Sequence, residues 1–237
     1  MKSNTLIPAA FILSLGIVLG GYFVGNFFVK AKKFDRSVVV KGLAEKEVLA
    51  DLAIWPMKFT EAGNSLSEIE ANIRTKTAVV IDFLKEMGFA ENEISKGLPA
   101  IVDAWANPYN QQAPSAANRY AGSYDITVRT ADIAKLQKAM EASTTLIGKG
   151  IVMGESSYWQ QVEYLYTALN DIKPAMIEEA TKNAREAAEK FAVDSNSKVG
   201  KIKTANQGLF TINNRDMNSP HIKTVRVVTT IEFYLDD

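Results

Sequence analysis

From Leu6 to Val29 the chain carries no charged residue. As a helix, those 24 residues would span roughly 36 Å, enough to cross a hydrocarbon core of about 30 Å with some tilt. Lys2 flanks one end and Lys30, Lys32, Lys33 and Arg36 the other. This pattern predicts a transmembrane helix over about 6–29, within an anchor segment of residues 1–36. A cleavable signal peptide would have a shorter apolar core ending at a small-residue site. Here the run continues through Tyr22, Phe23, Phe27 and Phe28, which favours an uncleaved anchor. Gly16, Gly20, Gly21 and Gly25 include two small-xxx-small spacings, the kind that lets helices approach closely in lipid. Glycine is also simply common in membrane helices.

The pattern changes after residue 36. Ser37–Val40 opens a strand, and Val48, Ala50, Leu52 and Ile54 alternate with more polar positions, so two strands joined near Ala44–Lys46 are expected. Pro56 marks an edge or bulge in the second. From Asn64 to Gly88 the period is helical: Leu66, Ile69, Ile73, Val80, Leu84 and Met87 share a stripe, with Thr77 filling the gap. Ser65 and Glu68 have capping-box spacing and Gly88 is a C-terminal stop. Ile94–Ala106 reads as extended, Asn107–Asn118 as a polar loop, and Tyr120–Thr130 as a strand with Tyr124, Ile126 and Val128 on one face.

Thr130 is placed to cap a short helix carrying Ile133, Leu136 and Met140, ended by Gly148 and Gly150. Ile151–Tyr166 reads as an interrupted strand. A second long helix starts near Pro174, with Ile177, Ala180, Ala184, Ala188 and Phe191 as its buried stripe. So alanine-rich a face predicts close approach to its neighbour. Lys201–Phe210 is extended, Asn213–Ile222 a loop, and Thr224–Leu235 a strand with Val225, Val227, Thr229, Ile231 and Phe233 inward. The expected fold class is therefore α+β. A mostly antiparallel sheet or sheets carries two long helices and one short one over residues 37–237, preceded by the transmembrane helix. Two long helices, each followed by strands, suggest two related halves, although no internal repeat is evident.

Composition narrows the chemistry. The 237 residues hold no cysteine and one histidine. That excludes disulfides, thiolate metal sites, cysteine nucleophiles and any site needing two histidines. Net charge is zero, with 27 basic and 27 acidic residues. Residues 1–36 carry five basic residues and one acid, leaving the remaining domain with 22 and 26. A basic-flanked anchor joined to a mildly acidic domain argues against nucleic acid as a partner.

His221, in Ser219-Pro220-His221, reads as an exposed loop residue with no assigned nucleophile or orienting acid. The acidic pairs Glu45/Glu47, Glu178/Glu179 and Asp236/Asp237 read as solvated faces. No phosphate loop or dinucleotide fingerprint occurs. No cofactor or metal is expected, and no catalytic residue. Trp105, Tyr109 and Trp159 are the candidate oligomer or ligand contacts, since aromatics are enriched at interfaces; sheet packing is the plainer role for each.

Several strings, in order, resemble the SIMPL-like domain family of bacterial envelope proteins, which includes periplasmic immunogenic and oxidative-stress defence types. Val39-Val40-Lys41-Gly42-Leu43-Ala44-Glu45 is similar to the family's opening V-x-G-x-G-E strand. Leu84-Lys85-Glu86-Met87-Gly88 matches the end of its first helix, and Glu93-Ile94-Ser95 follows as in the family. Tyr120-x-x-x-Tyr124-x-Ile126-x-Val128-Arg129, the alanine helix 180–192 and Ser197–Ile202 continue the match. Ala50-Asp51 keeps only the acid of the family's "PD" pair, and Asn196 or Ser197 replaces a usual glycine.

The resemblance implies a non-enzymatic, exported domain that assembles into a homo-oligomer, a ring- or pore-like one in its sharper version, with a link to envelope or oxidative stress. With the anchor, it implies a single-pass inner-membrane protein whose domain faces the periplasm. The basic flank Lys30–Arg36 opposes that orientation under the positive-inside rule. Two other readings stay open: a module binding a small ligand or peptide near Trp105 and Tyr109, and a hydrolase with an activated serine or threonine.

Overall fold

The computed structural model describes residues 6–33, 36–106, 118–152 and 161–236. After α1 (Leu6–Lys33) the order is β1 (Ser37–Leu49), β2 (Leu52–Gly63), α2 (Leu66–Glu86), β3 (Ile94–Lys96), β4 (Ala100–Asp103), β5 (Tyr120–Thr130) and α3 (Ile133–Ala142). Then come α4 (Thr145–Gly148), β6 (Glu163–Leu165), α5 (Leu169–Asp194), β7 (Lys198–Gln207), β8 (Thr211–Asn214) and β9 (Ile222–Asp236). The class is α+β with antiparallel sheets, as the patterning predicts.

The expected anchor segment is helical across 6–33. Its described side chains, Phe11 and residues 13–27, are all exposed. Among the described residues, no helix is long and apolar enough to cross a membrane, so the expected transmembrane helix is not supported on that count.

The chain divides into two compact units. Residues 1–46, 170–212 and 224–237 form the first. Among its described residues the sheet runs β1-β9-β7, with β8 also paired to β9. Strand alternation buries Val40, Gly42 and Ala44 of β1 and Val225, Val227, Thr229, Ile231 and Phe233 of β9 on single faces. Onto this sheet α5 lays Met176, Ala180, Ala184, Ala188 and Ala192, in strict steps of four. The expected Phe191 is instead exposed, because it stands one residue off that row. Alanine permits the predicted close approach, and Gly42 completes it. A Cβ at Gly42 would lie 1.8 Å from the Ala180 carbonyl oxygen and 2.8 Å from the Ala184 Cβ.

Residues 47–169 and 213–223 form the second unit. Among its described residues the sheet order is β3-β5-β2-β6, with β4 also on β5. β2 pairs with β5 along its whole length, from Ala53 with Thr130 to Gly63 with Tyr120. Its core joins Trp55, Met57 and Phe59 of β2 to Tyr124, Ile126 and Val128 of β5, under α2 and α3. β6 pairs with Leu52–Ile54, so Pro56 lies beyond that pairing among the described residues, where its missing N–H costs no ladder bond to β6.

Several local expectations are corrected. β1 runs unbroken through Ala44–Lys46; the chain turns at Ala50–Asp51, and β1 and β2 belong to different sheets. The alternation therefore restarts, and β2 buries Ala53, Trp55, Met57 and Phe59 rather than the phase of Leu52 and Ile54. The box at Ser65 is not formed, since its hydroxyl bonds that of Ser67. Leu66 is exposed. The other end of α2 is as read: Gly88 has φ +87°, its N–H reaches the Lys85 carbonyl and the Phe89 N–H reaches that of Leu84, a Schellman close. Asp132, not Thr130, caps α3 by accepting the Lys135 N–H. α5 begins five residues before Pro174, where the ring forfeits one early hydrogen bond only. Of the expected strand 151–166, Glu163–Leu165 is extended and residues 153–160 lie outside those described.

Candidate functional site

A polar constellation lies where β4 ends and β5 begins. β4 ends in Asp103 and β5 begins at Tyr120, and antiparallel pairing sets these two residues opposite each other. Arg119 reaches back across the gap. Its Nε and Nη2 grip the Asp103 carboxylate at 3.2 and 2.9 Å, a two-pronged charge-assisted pair. The same guanidinium lies 5.2 Å from the centroid of the Trp105 ring and 4.9 Å from that of Tyr120. Asp103 also accepts the Trp105 N–H at 2.9 Å, and Asn64 accepts the Arg119 N–H at 2.8 Å. The Arg119 guanidinium holds the Asp103 carboxyl below its usual range, and that carboxylate raises Arg119 in turn.

Of the three candidate aromatics, Trp105 is 57% exposed and lies under the Arg119 guanidinium. Tyr109 and Trp159 lie outside the described residues. Gly16, Gly20, Gly21 and Gly25 lie on α1, with nothing within 4 Å of a Cβ built on any of them.

The acids singled out by the sequence strings turn out to tie the backbone together. Asp51 accepts the N–H groups of Thr167 and Ala168 at 2.8–2.9 Å, at the approach to α5. Burial acts to raise its pKa, but these amide donors outweigh it and hold the carboxyl low. Glu93 accepts the Lys135 ammonium at 2.8 Å, the Ala90 N–H at 2.9 Å and the Thr130 hydroxyl. There too burial works upward, and Lys135 and Thr130 more than cancel it. The acidic pairs read as solvated faces are exposed at Glu45, Glu47, Glu178, Glu179 and Asp236.

His221 is half-buried rather than exposed. Its carbonyl accepts the Ala50 N–H at 2.8 Å, and its ring meets Tyr164 edge-on at 6.0 Å. Two residues on, Lys223 is buried, and its ammonium bonds the Asn214 side-chain oxygen. Burial pushes that amine below its ordinary value. Sequence reading passed over Lys223, yet the signal was present: it shares the inward phase of Val225 and Val227. Among the described residues, no cluster of three or more His, Cys, Asp or Glu could hold a metal.

The chain thus holds two α+β units, the second with Asp51 and Glu93 engaged by its own amides and side chains. The family model described as SIMPL, protein of unknown function (DUF541), matches residues 38–232, and the chain belongs to that family. No curated protein matches it.

Proposed function

We propose that this is a non-enzymatic, membrane-anchored protein of the bacterial cell envelope whose domains associate into a homo-oligomer. The observation that carries the reading is α1. Its described side chains include Phe11, Leu13, Leu15, Ile17, Val18, Leu19, Phe23, Val24 and Phe27, exposed on all sides of the helix. A helix apolar all round is stable only when buried in protein or lipid; no helix among the described residues is long and apolar enough to cross a membrane, so the lipid reading rests on the sequence, where Leu6–Val29 runs uncharged for 24 residues against the about 20 that a crossing needs. Anchoring confines the domains to one plane, which raises their effective concentration and lets weak contacts suffice.

Exposed apolar residues on the domain supply contacts of that kind. Val102 and Trp105 stand beside the Arg119 clamp, and Phe191 and Val193 line the outer side of α5. Catalysis is disfavoured because the carboxylates in the family strings, Asp51 and Glu93, are saturated by amides, a lysine and a hydroxyl. The proposed placement is single-pass in the inner membrane, with the domain in the periplasm. Protease treatment of spheroplasts tests it: the domain is cleaved without permeabilising the inner membrane, whereas protection would reverse the orientation.

A further inference from the structure

The buried stripe of α2 steps through Ile69, Ile73, Val80 and Leu84, and helical spacing requires an apolar side chain at position 77. Threonine stands there. Its Oγ1 is buried and has no hydrogen-bond partner. A helical threonine usually satisfies itself on the carbonyl four residues back, as Thr75 does on Ala71 at 2.9 Å. An orphaned hydroxyl in a native interior calls for an explanation.

Thr77 lines a cleft of about 280 Å³ between α2 and the sheet of the second unit. Ile73, Pro99, Ile101 and Tyr124 make its walls apolar. Beside the cleft α2 packs directly on β5: a Cβ at Gly122 would meet Ile69 Cγ2 at 2.9 Å and Ile73 Cδ1 at 3.0 Å, so the glycine lets Ile73 seat against the strand. Glu70 and Arg74 complete the lining, one helical turn apart. Both are exposed, and among the described residues neither forms a hydrogen bond or ion pair. Apolar walls with a few convergent polar groups are the general form of a small-molecule site.

The chemistry selects a ligand class. A rim holding one carboxylate and one guanidinium has no net charge, so it favours a molecule that presents both signs over a simple anion or cation. The cleft holds the volume of roughly nine waters, which admits about nine to twelve non-hydrogen atoms. We propose that it binds a free apolar α-amino acid. Arg74 would take the carboxylate and Glu70 the ammonium. The side chain would lie against Ile73, Ile101 and Tyr124, and the Thr77 hydroxyl would find a partner. This goes beyond anchoring and association, which stand or fall on separate measurements.

The test uses the full chain in mild detergent, titrated calorimetrically with L-phenylalanine. 3-Phenylpropanoate, which lacks the ammonium, and phenethylamine, which lacks the carboxylate, serve as comparators. L-phenylalanine is expected to bind saturably with Kd below about 1 mM, and each comparator at least about tenfold more weakly. Glu70→Gln should erase the preference over phenylpropanoate, and Arg74→Gln the preference over phenethylamine. Both residues are exposed, so folding should be retained, as circular dichroism can confirm. Ile101→Trp should abolish binding by filling the cleft. No saturable binding of L-phenylalanine or L-leucine up to about 10 mM would overturn the proposal. Binding that is indifferent to all three substitutions would overturn it as well.

Discussion

Gly42→Ala perturbs the closest backbone approach in the first unit. The new methyl carbon would start 1.8 Å from the Ala180 carbonyl oxygen and 2.6 Å from the Ala184 nitrogen. A carbon and a carbonyl oxygen need about 3.3 Å, so α5 must withdraw by about 1.5 Å. The obstruction is helix backbone, which has no rotamer with which to move aside. Withdrawal opens the seam where Ala184 and Ala188 meet Val40, Ile231 and Phe233. A gap of 0.5–1 Å already forfeits a quarter to a half of each dispersion contact. Overpacking in a rigid site costs about 1–3 kcal/mol, and the opened seam should place this variant at about 3 kcal/mol or more. With a urea m-value near 2 kcal/mol/M, the midpoint falls by roughly 1.5 M.

Far-UV circular dichroism, in which α5 and α2 carry most of the helical signal of residues 37–236, reads the transition. Gly148→Ala is the control: nothing lies within 4 Å of its Cβ and its φ is not positive. It should leave the midpoint unchanged or raise it, by up to about 1 kcal/mol. A Gly42→Ala midpoint within about 0.3 M of the parent would refute the reasoning.

Asp51→Ala removes the acceptor for the Thr167 and Ala168 amides and should cost about 1–2 kcal/mol in urea unfolding. Asp51 and Glu93 both have folded pKa values below their unfolded ones. Their contribution is therefore complete above the ordinary carboxyl range, near 4, and fades as pH falls through the depressed folded values. Thermal melts from pH 5 to pH 2 should show that loss, and an Asp51→Asn/Glu93→Gln double variant, weaker at pH 7, should lose less. Lys223→Met removes a buried amine whose charge is disfavoured by desolvation. It should be neutral or stabilising by about 1 kcal/mol at pH 7, checked by melting temperature, because the exposed Asn214 can turn to water.

Much of the fold was legible where one face is buried. Val225 to Phe233 alternate without a break, and Tyr124, Ile126 and Val128 do the same, so the strands and their inward faces followed from period two. The stripe of α5 was read from its alanines, and both ends were misjudged by one residue, because Met176 and Ala192, not Ile177 and Phe191, continue the four-residue row. What escaped depended on contacts distant in sequence. The change of phase between Leu49 and Leu52 reflects a switch of sheets, which local patterning cannot reveal. The Arg119 clamp joins residues 64, 103, 105 and 119 through the two strand pairings that meet at Tyr120. The Gly42 string was recognised as a pattern, while its cause, a helix seated on that glycine, is tertiary. The Thr77 hydroxyl was read merely as a gap in the stripe.

Mass in mild detergent tests the central claim of an anchored, associating domain most directly. The full chain and a form lacking residues 1–36 would be measured at micromolar concentration by light scattering or native mass spectrometry. The account predicts a discrete homo-oligomer for the full chain, and weaker or concentration-dependent association once the anchor is removed. A monodisperse monomer in both forms would contradict it.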